Sequence, residues 1–117
     1  MIKVYCYSKC GTCKKALKWL KEKGIEHTVT DIKTDHPDEE ALRKYHAGSG
    51  LPLKRFFNTS GLPYRELGLS AKLSGMSEDE QYALLASNGM LVKRPLVVGD
   101  GFVLTGFKEN EWVEKLV

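Results

Sequence analysis

Cys10-Gly11-Thr12-Cys13 is the stretch of this 117-residue chain whose residue types and spacing offer covalent chemistry. Thiols three residues apart become neighbours across one helical turn, and a disulfide between them is sterically reasonable. At or just before a helix start, unpaired backbone N–H groups and the helix dipole favour the anionic form of Cys10. Cys13 lies one turn further in, on an apolar stripe. The more exposed, thiolate-prone sulfur should attack and the more buried one resolve, which makes Cys10 the nucleophile and Cys13 the resolving thiol. Gly11 and Thr12 lie between them, where a substrate would rest. Lys9 and Lys14 add positive potential, but exposed lysines are screened. Zinc is the competing use of such a pair. It normally takes four ligands, and the chain offers only Cys6 beyond the pair, with His27, His36 and His46 at no ligand spacing, so no metal is expected. Cys6 itself reads more simply as a small buried apolar side chain than as a third redox partner.

The surrounding elements must put this pair at a reactive edge. Ile2 to Tyr7 is β-prone, with Ile2, Val4 and Cys6 on one parity. Cys13, Ala16, Leu17 and Leu20 then recur at helical spacing, lysines 14, 15, 18, 21 and 23 face water, and Gly24 suits a left-handed cap. Glu26 to Ile32 returns to a β-prone pattern, completing a βαβ unit with parallel strands and a right-handed crossover. At the far end, Pro95 to Val98 is strand-like, Asp100-Gly101 is a two-residue hairpin turn, and Phe102 to Thr105 returns antiparallel. Lys108 to Val117 is a helix, which makes the C-terminal unit ββα.

Residues 34–92, between these units, carry helical signals. Asp35-His36-Pro37 places Pro37 in a first turn of a helix that stops by Gly48. A second helical start falls at Pro52, and Ser77-Glu78-Asp79-Glu80 is a capping box for a helix ended by Asn88-Gly89. The expectation is an α/β chain, one domain over residues 1–117, with a four-stranded mixed sheet of thioredoxin-like plan and a helical insert over 34–92. That plan sets residues 8–13 at the carboxyl end of the first strand, where open α/β sheets place their chemistry.

Charge narrows the setting. Eighteen Lys and Arg against fifteen Asp and Glu give a formal +3, too little to argue for direct nucleic-acid binding or an anionic membrane surface. With no export signal after Met1 and no long apolar run, a cytoplasmic protein is expected, in a compartment that keeps thiols reduced. Three cysteines between positions 6 and 13 cannot staple distant parts of a fold.

Two further segments carry weight. The residue before a proline is held extended, and X-Pro bonds are where cis peptides occur. In folds of this plan a cis proline begins the third strand beside the active cysteine. If Pro95 is that residue, Arg94 presents a fixed cation to Cys10, to an anionic substrate or to a mixed-disulfide adduct. At ~4 Å and an effective dielectric of ~20 this is worth up to ~4 kcal/mol before desolvation. Without the dithiol, Arg94 would read as a surface arginine, and Lys93 reads as a solvated side chain. Asn58-Thr59-Ser60-Gly61 has turn chemistry, and either caps the helix before it or lines the pocket of the dithiol. The histidines read as surface residues.

Cys10-Gly-Thr-Cys13-Lys-Lys-Ala16, Asn58-Thr-Ser-Gly61-Leu-Pro-Tyr-Arg-Glu-Leu-Gly-Leu69, Lys93-Arg-Pro-Leu-Val-Val98 and Gly106-Phe107 together resemble the arsenate reductase (ArsC) and Spx superfamily, end to end and in the same order. The resemblance implies a thioredoxin-like domain with a helical insert, a nucleophilic cysteine at Cys10 and an anion-binding arginine at Arg94, with Pro95 beside it. Where arsenate reductases of this type carry two further arginines, this chain has Asn58 and Gly106, which argues against arsenate as substrate. The Asn58 segment is more similar to a branch associated with glutathione-dependent thiol reduction. The implied activity is thiol-disulfide exchange on a small-molecule thiol or disulfide. No cofactor is bound, and glutathione, glutaredoxin or thioredoxin is the reductant. Spx proteins share the C-x-x-C, and the alternative they imply is a redox-switched regulator that binds the RNA polymerase α subunit.

Overall fold

The computed structural model describes residues 1–117. Ile2–Cys6 (β1), Gly11–Glu22 (α1) and His27–Asp31 (β2) form the parallel βαβ unit, with Val4 opposite Val29. α1 ends as its sequence dictates. Gly24 takes φ +68°, and the Gly24 and Ile25 N–H groups donate back to the Lys21 and Leu20 carbonyls, the pairing of a Schellman cap.

The segment from β2 to the next strand is helical, with four α-helices: Glu39–Ser49 (α2), Leu62–Glu66 (α3), Leu69–Lys72 (α4) and Glu78–Ser87 (α5). Tight 3₁₀ turns at Leu53–Phe56 and Leu73–Gly75 lie between them, and a third at Gly89–Leu91 follows α5. Pro37 does not open α2. Asp38 does so, accepting from the Ala41 N–H at 2.8 Å, because a side-chain acceptor satisfies an orphan N–H that proline merely lacks. Gly48 does not stop the helix, which runs to Ser49 and ends at Gly50 with φ +69°. Pro52 heads a 3₁₀ turn instead of an α-helix. The capping box at Ser77 and Glu80 forms in both directions, at 3.2 and 3.0 Å. His46 is not a surface residue: its two ring nitrogens engage the Tyr82 hydroxyl and the Leu51 carbonyl, and its ring stands edge-on to Phe56.

Leu96–Val98 (β3), Val103–Thr105 (β4) and Glu109–Leu116 (α6) complete the chain. Asp100 and Gly101 are the two central residues of the hairpin turn: the Gly99 N–H closes onto the Phe102 carbonyl at 2.9 Å across them, and Gly101 takes φ +83°. The sheet order is β2-β1-β3-β4, with β3 antiparallel to both neighbours. Both faces are covered. Ile2, Val4, Cys6, Val97 and Leu104 pack on Cys13, Ala16, Leu20 and Trp112 of α1 and α6. Tyr5, Leu96 and Val103, of opposite parity, pack on Phe56, Phe57, Leu85 and other residues of the helical layer. No helix is long and apolar enough to cross a membrane.

Candidate dithiol site

The connection from β1 to α1 makes Cys10 the N-cap of α1, with extended backbone (φ −91°, ψ 118°) and a thiol not used for capping. Its N–H donates to the Tyr7 carbonyl at 3.0 Å, while its own carbonyl accepts from Lys14 at 3.1 Å, so the backbone on both sides is fixed. Cys10 is half-buried, whereas Cys13 is 1 % exposed and Cys6 4 % exposed, and all three are free thiols. Access therefore separates the pair: an external sulfur can reach Cys10 and cannot reach Cys13.

Electrostatics acts on the buried member. The Cys13 thiol is lowered to about 6, first by the Cys6 thiol acting as donor, then by the Tyr7 backbone, Cys10 and the charge of Arg94, against the opposing effect of burial. Cys6 is pushed up in turn, chiefly because it donates to Cys13 and because it is buried. Cys13 is the third residue of α1, where backbone N–H groups converge and the helix dipole favours an anion, and Cys6 on its strand has neither support. A thiolate at Cys13 is the species required to attack a disulfide formed on Cys10. Cys6 and Cys13 also line a smaller cavity of about 340 Å³, to which Cys10 does not contribute. No three His, Cys, Asp or Glu side chains converge to hold a metal ion.

Cys10 opens onto a cleft of about 580 Å³ between the sheet edge and the helical layer. Thr12, Asn58 and Arg94 line it with Cys10, as do Lys93 and Gly106. Of the other residues singled out in the sequence, Cys13 lies behind Cys10, Gly11 faces solvent and Pro95 is buried beside the cleft without lining it. The peptide Arg94-Pro95 is cis. Arg94 has no carboxylate within 4.0 Å; its guanidinium lies 5.3 Å from the centre of the Tyr7 ring and one nitrogen rests 3.9 Å from Met90 Sδ.

Asn58 lines the cleft and does not cap a helix; the 3₁₀ turn before it is closed at Phe57. A short antiparallel pairing holds it in place. Phe57 bridges Val92, Asn58 N–H donates to the Leu91 carbonyl at 2.7 Å, and Lys93 N–H donates to the Phe56 carbonyl at 2.8 Å. Asn58 and Arg94 thus stand on one wall although 36 residues separate them. Gly106 also lines the cleft, at φ +72° and with the Lys93 stem 3.0 Å from where a Cβ would project, so the backbone here disfavours any side chain. The Trp112 indole N–H donates to the Gly106 carbonyl at 3.0 Å and pins this turn to α6.

The site is richer in cations than the sequence suggested. Lys54, Arg55, Lys93, Arg94 and Lys108 line the cleft and no Asp or Glu does. Lys54 and Arg55 come from the 3₁₀ turn after Pro52 and Lys108 from the start of α6, positions with no motif to flag them. Their convergence requires the helical layer to close over the sheet.

A four-stranded mixed sheet of this order, with a thiol at the first helix cap after β1 and a cis proline before β3, defines the thioredoxin-like class. The chain belongs to the ArsC family, whose model matches residues 5–115. It is 54 % identical over 110 residues to the protein YusI of Bacillus subtilis, a match covering 94 % of this chain and 93 % of that one. An ArsC-family-related crystal structure from Bacteroides fragilis superposes with a TM-score of 0.94 at 55 % identity, covering 97 % of this chain and 95 % of that one. More distant relatives carry two different names. An arsenate reductase of Rhizobium meliloti is 29 % identical over 83 % of this chain and 68 % of its own length. A global transcriptional regulator Spx of Staphylococcus epidermidis is 22 % identical over 95 % of this chain and 83 % of its own length.

Proposed function

We propose that this protein is a thiol-disulfide oxidoreductase acting on small disulfides, with Cys10 as nucleophile, Cys13 as resolving thiol and Arg94 as the cation that steadies the anionic species. The observation that carries the reading is the division of labour in the pair: a half-buried thiol facing a cleft, backed by a buried thiol held low. Cys10 thiolate attacks one sulfur of R–S–S–R′, the S–S bond breaks, and R′–S⁻ departs and takes a proton. Cys13 thiolate then attacks the Cys10 sulfur, expelling R–S⁻ and leaving the Cys10–Cys13 disulfide. Two electrons and two protons from an external thiol pair, of the glutathione or thioredoxin/glutaredoxin kind, restore the dithiol. The cleft volume of about 580 Å³ lies within the roughly 300–1,000 Å³ of pockets for small organic ligands, room enough for a thiol-bearing molecule.

The test is turnover of a mixed disulfide with glutathione/glutaredoxin and with thioredoxin, with arsenate reduction run alongside. Cys10→Ser should abolish turnover, and Cys13→Ser should accumulate a mixed disulfide on Cys10, visible as added mass. Undiminished turnover in the Cys10 variant overturns the proposal. The Spx-named relatives favour a second reading, a redox-switched regulator without turnover. Retention on RNA polymerase α subunit that changes between oxidant and reductant would support it, and no retention in either state counts against it.

A further inference from the structure

The thiol of Cys13 accepts from two others, Cys6 behind it and Cys10 in front. Cys6 ends β1 on the face that α1 covers, beside Ile2 and Val4, and Cys13 is the third residue of α1 on its buried side. Cys10 packs against the same cluster from the cleft. The three sulfurs do not gather round one point as a metal site requires. They form a chain with Cys13 in the middle, the order that disulfide exchange at a central sulfur needs. The cavity of about 340 Å³ that Cys6 and Cys13 share with Leu17 and Val29 gives both side chains room to turn. Bonding requires such a turn, since sulfurs in hydrogen-bond contact must close to roughly 2.05 Å.

From this arrangement we infer that Cys6 is a third redox thiol, which takes the disulfide over from Cys10 and frees the nucleophile while the protein is still oxidised. The step rests on the oxidoreductase reading for its starting point, the Cys10–Cys13 disulfide. Cys6 thiolate attacks Cys13 Sγ, the Cys6–Cys13 bond forms, and the Cys10–Cys13 bond breaks. Cys10 leaves as a thiolate, and the proton given up by Cys6 passes to it or to water. The protein neither gains nor loses electrons, so no further oxidant is consumed. Electrostatics favours this direction. The expelled charge enters a cleft lined by cations and by no carboxylate, where Arg55 Nη2, Arg94 Nε and Thr105 Oγ1 are buried without hydrogen-bond partners. Cys6 on its strand has no comparable reception for a charge. The relayed disulfide lies between residues 4 % and 1 % exposed, beyond the reach of an external thiol until Cys10 attacks it again. Cys10 is meanwhile free to take a second substrate sulfur.

Trypsin makes the two disulfides distinguishable, because cleavage after Lys3, Lys9 and Lys14 leaves Cys6 in one peptide and Cys10 with Cys13 in another. The full-length reduced protein is oxidised with an equimolar amount of diamide and labelled in its native state with iodoacetamide. Its remaining thiols are then capped under denaturation at mildly acidic pH before digestion. In the oxidised wild type, iodoacetamide should mark Cys10, and the Cys6 peptide should be cross-linked to Cys13. Cys6→Ser, which keeps a donor to Cys13 but has no sulfur, should stop at the Cys10–Cys13 disulfide, with native labelling of Cys10 at least ~10-fold lower. Cys10→Ser should leave Cys6 and Cys13 reduced, since the oxidant reaches neither directly. An oxidised wild type that holds only the Cys10–Cys13 disulfide and takes no native label overturns the relay and leaves the oxidoreductase reading standing. A Cys6–Cys13 bond that forms equally fast in Cys10→Ser also overturns it. Cross-linking and labelling as expected, in a protein that turns over no disulfide substrate, uphold the relay and overturn the oxidoreductase reading instead.

Discussion

Cys6 lies on the same face of β1 as Ile2 and Val4, yet its thiol is the largest influence holding the Cys13 thiol at about 6. It is a positioning residue for the proposed resolving step, and the test isolates it. In a Cys10→Ser background, thiolate absorbance near 240 nm should titrate with a midpoint near 6, the value for Cys13. Adding Cys6→Ala should move the midpoint upward toward the ordinary value, and Cys6→Ser, which restores an O–H donor, should recover part of the shift. A filler without electrostatic influence would leave the midpoint unchanged in both. The linkage has a definite sign. The unfolded chain keeps the Cys13 proton up to its ordinary value of 9.0, while the folded protein releases it near 6. More protons are bound by the unfolded state in that window, so this contribution to stability grows from about pH 6 to about pH 9 and vanishes below pH 6. Urea midpoints across this range should show the rise, and the Cys6→Ala variant should flatten it. The opposing shift of Cys6 acts only above its own ordinary value.

Among the elements, the turn from β4 to α6 carries the cleft wall that a side chain cannot occupy. Gly106 holds φ +72° there because its carbonyl accepts from the wholly buried Trp112 indole and its N–H donates to the Pro95 carbonyl at 2.9 Å. Trp112→Phe keeps an aromatic ring against Trp19 and Phe107 but orphans the Gly106 carbonyl. The expected loss is about 1–3 kcal/mol by urea unfolding, the cost of an unsatisfied buried group. Turnover of disulfides should fall as well, because the turn also borders Lys108. Stability and activity equal to wild type would show that Gly106 is held by its own glycine conformation. The loop before α3 works by similar means: Gly61 N–H donates to the Asn58 carbonyl at 3.1 Å, and a Cβ at 61 would meet Asn58 Nδ2 at 2.7 Å.

For the molecule as a whole, the cleft exists because the helical layer is fastened to the sheet at a few close points. The tightest is Gly89, whose missing side chain lets its backbone lie on the Ile32 carbonyl oxygen at the end of β2 and beside His36 Cβ. Gly89 is buried, and any Cβ there would collide with backbone, which cannot swing aside. Gly89→Ala should therefore destabilise by about 3 kcal/mol, the upper end for overpacking, and shift the segment carrying Phe57, Asn58 and Arg94 that follows it in the pairing. A thermal melt together with KM for the disulfide substrate checks both effects. An unchanged melt would mean that the layer can ride outward without loss.

Cys10-x-x-Cys13, the stripe of α1, the Gly24 cap, the Ser77 capping box and the parallel-then-antiparallel order of strands were all legible in the sequence, because each depends on residues within a few positions of one another. The exact start and end of α2 are not legible there, because competing local signals, Asp38 against Pro37 and Gly50 against Gly48, differ by small energies. Asn58 and Arg94 could be suspected from their neighbours, but their common wall depends on a pairing between residues 56–58 and 91–93. Arg55, Thr105 and Lys108 carried no local mark, and neither did the influence of Cys6 on Cys13. Sequence alone determined the reactive pair and the sheet that presents it, since chemistry and periodicity are local properties. Which charges and orphaned polar atoms face that pair was decided only by tertiary structure, since burial and convergence arise from contacts between segments far apart in the chain.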